Sequence, residues 1–218
     1  MRESLQHCPL FAGFTLQEIA DCLRQWNAQE MVYEKEQTIF RAGDRPQGLL
    51  ILLEGAVRVG NYAPDGTRRV VATFTQPGEL FGEVFLFLPD TPYEQFAEAA
   101  SQSYVLQLPK DFLEERSFGR IAGNLLTIFA RKAYFLNQRV QVLTCGTLRQ
   151  KLACMLLQYA QPDGRVYLPM GREALAGFVG AARPSVSREL SHMQADGFIR
   201  LERREIQLLD CTALQALL

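Results

Sequence analysis

The sequence predicts an α+β chain of three parts in order: an N-terminal β jelly roll, a long helix and a C-terminal winged helix-turn-helix. Three observations carry this reading. Between about Glu30 and Leu108, short β-rich runs alternate with turn signals every 8–12 residues or so. From 119 to 145, apolar residues recur at spacings of 4, 3, 4, 3, 4 and 3. Near the C-terminus, two short helical segments flank a tight Gly180-Ala181-Ala182. The implied division is 1–115, 116–145 and 146–218.

The chain opens on an apolar Cys8-Pro9-Leu10-Phe11. Thr15-Leu16-Gln17-Glu18 reads as a capping box, with a short helix following to about Trp26. The expected strands are Thr38–Phe40, Gly48–Leu53, Ala56–Val59, Arg69–Phe74 and Tyr104–Leu108, punctuated by Gly43-Asp44, Glu54-Gly55, Pro64-Asp65-Gly66 and Gln76-Pro77-Gly78.

After Pro109 the period becomes helical. Ala122, Leu126, Phe129, Ala133, Leu136, Val140 and Leu143 form an a/d seam, and charged or polar residues fill the positions between. A helix of about 27 residues is about 40 Å long, too long for a small sandwich to cover. The seam therefore reads as a two-stranded coiled coil and the protein as a homodimer; the alternative is a helix lying across its own domain. Gly146 marks a hinge over Thr144–Thr147.

Beyond the hinge, Leu148–Tyr159 reads as a helix, Gln161–Gly164 as a turn and Val166–Leu168 as a short strand. Arg172–Val179 and the helix beginning at Arg183 then form the helix-turn-helix. Small Ala176 permits close approach, and Gly180 can adopt positive φ. Val186, Leu190 and Met193 make an apolar stripe. The opposite face carries Arg183, Ser185, Ser187 and Arg188, donors suited to base edges and phosphates in double-stranded DNA. The alternative is an ordinary two-helix corner with a solvated face. Gly197 ends the second helix, and Phe198–Leu201 with Ile206–Leu209 form a hairpin wing.

Charge is divided unevenly. Residues 1–145 hold 14 Lys/Arg against 17 Asp/Glu, whereas 146–218 hold 9 against 7. Arg183, Arg188, Arg200, Arg203 and Arg204 concentrate positive charge near the reading helix. No run of about 18 apolar residues predicts a membrane helix, and no signal-peptide core follows Met1, so a cytoplasmic location is expected. The five cysteines, at 8, 22, 145, 154 and 211, form no CxxC pair, and no metal site is expected. An enzyme is disfavoured: there is no paired Ser/His/Asp, no metal-ligand spacing and no phosphate-binding loop.

This order of parts resembles the CRP/FNR family of bacterial transcription regulators. The stretches that carry the resemblance are Pro9–Gly13, Gly43-Asp44, Leu53-Glu54-Gly55, Gly78-Glu79-Leu80-Phe81-Gly82-Glu83, and Leu175-Ala176 through Gly180 with Arg183–Leu190. It implies a cyclic-nucleotide-binding-like jelly roll, allosteric control by a small-molecule effector, a two-fold symmetric operator and contact with RNA polymerase. It also implies an effector pocket around Gly82, Glu83, Tyr93 and Glu94, completed by Leu136 and Asn137 of the long helix.

Members that bind cyclic AMP carry an Arg-Ser pair where this chain has Tyr93 and Glu94, and no Arg lies between Arg69 and Arg116. A Glu there would repel a phosphate, so the expected effector is not cyclic AMP. Phe81, Phe85, Phe87, Tyr93 and Phe96 suggest an apolar or aromatic effector; the alternative is that they fill the core. Two cysteines before residue 145 cannot hold an iron–sulfur cluster. A haem- or redox-sensing regulator is a further alternative, with His7 and Cys8 as axial haem ligands, against Cys8 as a small packed residue, and with Cys145 beside the hinge as a redox switch. Many family members place Glu after the first Arg of the reading helix; Pro184 stands there instead, so the family's best-known half-sites are not expected. The leading reading is a dimeric DNA-binding regulator, with a regulatory module acting through protein contacts as the alternative.

Overall fold

The computed structural model describes residues 3–114, 118–168, 171–202 and 205–218. It divides into two compact units, split between Phe129 and Ala130. That split falls inside the long helix, whereas the expected boundary at 115/116 lies outside the described residues.

The first unit begins with 3-10 turns at Glu3–His7 and Pro9–Phe11, followed by helix α1, Leu16–Gln25. The capping box forms as expected. Glu18 N donates to Thr15 Oγ1 at 3.2 Å, and Thr15 N donates to the Glu18 carboxylate at 2.7 Å. The Thr15 amide, with Arg120 at 2.7 Å and the Thr15 hydroxyl at 2.9 Å, holds the Glu18 carboxyl down to about 2.

The strands are β1 (Gln29–Tyr33), β2 (Thr38–Phe40), β3 (Gly48–Glu54), β4 (Val57–Tyr62), β5 (Arg68–Phe74), β6 (Leu80–Phe81), β7 (Phe96–Ala99) and β8 (Ser103–Pro109); a short helix α2, Glu83–Leu86, follows β6. They form two antiparallel sheets, ordered β1-β8-β3-β6 and β2-β7-β4-β5. All five expected strands are present. Strands β1, β6 and β7 and helix α2 were not expected. β6 is only two residues long, and β7 reads Phe-Ala-Glu-Ala, with little β propensity. Its Glu98 is buried, ion-paired with Arg68 at 2.5 Å and Arg58 at 3.6 Å.

The unbroken apolar run of β3 has a simple cause: both faces are covered. Leu50 and Leu52 point into the sandwich with Phe40, Val59, Phe81, Tyr93 and Val105. Leu49, Ile51 and Leu53 point outward, against Trp26, Phe112 and the first turns of the long helix α3, Phe118–Thr144. Ile121, Leu125 and Ile128 of α3 join this outer core. Each such buried side chain contributes roughly 1.5–3 kcal/mol. Asn124 Nδ2 fixes the start of α3 by donating to the Leu10 and Ala12 carbonyls at 2.7 and 3.1 Å.

The second unit contains the remainder of α3, then α4 (Leu148–Gln158), β9 (Arg165–Val166), α5 (Arg172–Val179), α6 (Arg183–Ala195), β10 (Ile199–Leu201), β11 (Ile206–Leu208) and α7 (Cys211–Ala216). The hinge residue Thr147 caps α4 in a box with Gln150. β9 lies one residue earlier than expected and completes a sheet ordered β10-β11-β9. Arg203 and Arg204 lie outside the described residues. Helix α7 was not expected; Asp210 caps it by accepting from Ala213 N at 2.8 Å. The core gathers Val142, Leu152, Met155, Leu156, Leu175, Phe178, Val179, Val186, Leu190 and Met193. No helix among the described residues is long and apolar enough to cross a membrane.

Candidate DNA-binding surface and effector cavity

Helices α5 and α6 are joined by Gly180 at φ +67°, and Ala181 N donates back to Ala176 O at 3.0 Å. An L side chain at Gly180 would strain that turn and crowd Leu143 at 3.2 Å. Pro184 occupies the first turn of α6, where no intrahelical amide is needed. At the other end, Gly197 N donates to Gln194 O at 3.0 Å and Phe198 N to Met193 O at 3.0 Å, a Schellman closure.

This frame divides α6 cleanly. Val186, Leu190 and Met193 are buried, while Arg183, Ser187 and Arg188 are exposed and Ser185 is half-buried. Arg188 Nε donates to Pro184 O at 3.4 Å, and Arg183 lies 4.0 Å from the exposed Glu173. The one carboxylate of α6, Glu189, is held by Arg149 of α4 at 2.5 Å, and Arg149 also binds Asp196 at 2.7 Å. Those two hydrogen bonds raise the Arg149 pKa. His192 stands 3.8 Å from the other Glu189 oxygen. The exposed face therefore presents Arg and Ser donors with its own negative charge already engaged.

On α3 most of the seam residues are exposed. Leu126 is 71% exposed and Leu136 and Val140 are each 57% exposed; Ala133 and Leu143 are also exposed. Phe129 is half-buried, edge-on to Phe87 at 5.5 Å. An apolar stripe of this kind on a surface helix marks an unpartnered face.

In the jelly roll, Gly82 has φ +71° and opens α2. A Cβ there would sit 3.1 Å from the rings of Phe40 and Tyr93. Glu83 and Tyr93 are buried at 3% and 4% exposure, whereas Glu94 is exposed. Tyr93 stacks on Phe40 with ring centroids 3.8 Å apart, and Phe85 meets it edge-on at 5.5 Å. Burial pushes the Tyr93 phenol up to about 12, with the charges of Asp44 and Glu83 adding to it.

Tyr93 also walls a half-open cavity of about 360 Å³ lined by β1, β2, β3, β8 and the 41–47 loop. Met31, Tyr33, Ile39, Phe40 and Leu50 line it, and Asp44, Arg45 and Gln47 supply its polar groups. Of the pocket residues expected in this unit, only Tyr93 lines the cavity; Gly82, Glu83 and Glu94 do not. Leu136 and Asn137 belong to the other unit and are exposed. Of the five aromatics read as pocket, Phe81 and Phe96 are buried and Phe85 packs against the sandwich core, as in the core-filling alternative. Cys8 is also buried, donates to Gly78 O at 3.3 Å and has its thiol pushed up to about 11 by burial, the environment of a packed residue.

Residues 30–116 match the cyclic nucleotide-binding domain, and residues 150–217 match the Crp-like helix-turn-helix domain. The cyclic AMP receptor protein of Thermus thermophilus is 30% identical over 209 residues, covering 93% of this chain and 95% of that protein. The chain belongs to the CRP/FNR family of transcription regulators. Another member, the CRP-like cAMP-activated global transcriptional regulator of Mycobacterium tuberculosis, is 29% identical over 96% of each chain. Among solved structures, FixK2 from Bradyrhizobium japonicum aligns with a TM-score of 0.52 at 25% identity, over 87% of this chain and 96% of that one.

Two features of this CRP/FNR-family chain were not anticipated. The Arg149 clamp links α4 to α6 across 40 residues of sequence, a spacing that no local period reveals. The cavity draws Met31 and Tyr33 from β1, whose polar start, Gln29-Glu30, hides the alternation that turns them inward.

Proposed function

We propose that this CRP/FNR-family regulator acts in the cytoplasm as a homodimer that reads a two-fold symmetric DNA site under the control of a small-molecule effector. The observation that carries the reading is the split of α6: a buried Val186/Leu190/Met193 stripe beneath an exposed face of Arg183, Ser187 and Arg188. Arg188 contacts a base edge, guanine being the usual partner of a bidentate Arg; Arg183, Ser185 and Ser187 hold phosphate or neighbouring bases. The exposed stripe of Leu126, Phe129, Ala133, Leu136, Val140 and Leu143 packs on its copy, making residues 116–145 the dimerisation segment between a sensing part, 1–115, and a DNA-binding part, 146–218. Two reading helices then meet successive major grooves. RNA polymerase is the partner on the promoter, and no catalytic step is involved.

The effector enters the jelly roll beside Tyr93, toward Gly82, Glu83 and Glu94 on one side and the Asp44/Arg45 cavity on the other. The Tyr93 ring, stacked on Phe40, occupies the place of a phosphate-binding cation, so the effector is an aromatic or apolar compound with polar edges rather than cyclic AMP. Haem at His7 and Cys8 is set aside, because Cys8 is buried with its thiol donating to Gly78 O.

The reading is tested with duplexes selected from random DNA by the purified protein. Affinity should fall at least about tenfold between roughly 50 and 200 mM salt. Arg188→Ala should lose about 1–3 kcal/mol of discrimination at one base pair per half-site, with dimer mass unchanged. Binding that is absent, or flat in salt, would leave the alternative of a module acting through protein contacts.

A further inference from the structure

Two of the five cysteines meet where α3 gives way to α4, within the second unit. Cys145 follows the last residue of α3. Its amide donates to Val142 O at 3.2 Å and its thiol to Gln141 O at 3.5 Å. Cys154 lies in the middle of α4, one turn before Gln158, whose side-chain amide donates to the Cys154 sulfur at 3.6 Å. The same amide donates to Gln141 Oε1 at 3.1 Å. Gln141 and Gln158 thus tie the two helices together beside both sulfurs.

The pair is placed for chemistry that the other cysteines cannot share. Cys145 and Cys154 are both partly exposed, whereas Cys8 and Cys22 are buried in the first unit and Cys211 is exposed. Gln141 and Val142 come directly after the seam residue Val140 and lie off the apolar stripe. Residues 145–147 are not helical, so the segment carrying Cys145 can shift to reach disulfide geometry. Burial, followed by the neighbouring Cys145 sulfur, pushes the Cys154 thiol up to about 11. That orders the chemistry: Cys145 attacks and Cys154 resolves.

We propose that Cys145 and Cys154 form a redox modification site that takes a small-molecule disulfide as oxidant and closes to an intramolecular disulfide across the α3–α4 junction. The Cys145 thiolate attacks one sulfur of the oxidant, forming a mixed disulfide and expelling one thiolate. Cys154 gives its proton to water and attacks the Cys145 sulfur, expelling the second thiolate. Two electrons and two protons leave the protein, and the oxidant departs as two thiols; excess small thiol reverses both steps. The new bond pins the last turn of α3 to α4 and fixes the hinge at Gly146, so it shifts the equilibrium among hinge geometries that DNA binding selects. This consequence rests on the DNA-binding reading; the thiol chemistry does not.

The test uses the full chain carrying Cys211→Ser, which removes the exposed thiol. The reduced protein is treated with oxidised glutathione and its peptides are mapped without reduction. A Cys145–Cys154 cross-link that dithiothreitol reverses is expected. Adding Cys154→Ser should stop the reaction at a glutathione adduct on Cys145, and adding Cys145→Ser should give neither product. Anisotropy on a duplex selected by the reduced protein should show affinities differing about fivefold or more between reduced and oxidised forms, with no difference in the Cys145→Ser/Cys154→Ser protein. A stable adduct on Cys145 without cross-link overturns the pair. A cross-link that leaves DNA affinity unchanged overturns the switch. If no duplex is selected at all, it is the DNA-binding reading that fails, and the peptide map still decides the disulfide.

Discussion

The two units keep their proposed functional residues in opposite environments. In the C-terminal unit they are what packing leaves over: Arg183, Ser187 and Arg188 are exposed, while Val186, Leu190 and Met193 of the same helix are buried. In the N-terminal unit, Glu83 and Tyr93 are themselves interior, and Tyr93 stacks on a core ring. A reading surface can therefore change its side chains while its support stays intact. A sensing site that includes Tyr93 cannot do so freely, because that ring both faces the cavity and packs in the core of the sandwich. Sensing and stability should thus be coupled in one unit and separable in the other.

The largest effect should come from cutting the support of the reading face. Leu190→Ala removes a fully buried side chain and should cost about 2–5 kcal/mol, read as a lower denaturant midpoint for the second unit together with lost DNA binding. Arg188→Ala, two residues earlier on the exposed face, should leave that midpoint unmoved. Equal destabilisation by both would break the claimed separation. Next in size is Gly82→Ala in the sandwich. The new Cβ would meet the Phe40 and Tyr93 rings at 3.1 Å, in a backbone conformation that disfavours L residues. A loss of about 1–3 kcal/mol is expected, and it should come with an altered effector response. Thermal unfolding that matches the parent protein would show that the sensing site is not coupled to packing after all.

How much of each unit was legible follows from the same contrast. The second unit announces itself locally: the Gly180 turn, the Gly197 closure and the Val186/Leu190/Met193 period all lie within one stretch of chain. So does the length of α3, because its seam repeats without interruption. The first unit is legible as strands and turns but not as a site. Its cavity combines Met31, Ile39, Asp44, Leu50 and Tyr93 from separate strands and loops, and only folding makes them neighbours. The aromatic run from Phe81 to Phe96 was suggestive for the wrong reason: Phe81 and Phe96 serve the core, and Phe85 packs against it. β7 is hidden because its buried Glu98 is tolerated only through Arg58 on β4 and Arg68 on β5, a compensation that no single segment displays.

The smallest expected effect probes the limit of the separation. Arg149 lies beneath the reading helix, not on its exposed face, yet it neutralises the one carboxylate that α6 carries. Because Arg149 and its partners are partly solvated, Arg149→Met should cost no more than about 1 kcal/mol of stability. It should nonetheless weaken DNA binding several-fold at low salt, because a freed Glu189 places negative charge among the phosphate-facing donors, with His192 at 3.8 Å. Adding Glu189→Gln should restore DNA affinity without restoring stability. If the double variant stays as weak as Arg149→Met alone, Arg149 is itself a DNA contact. The boundary between support and reading face would then run through α4 rather than along α6.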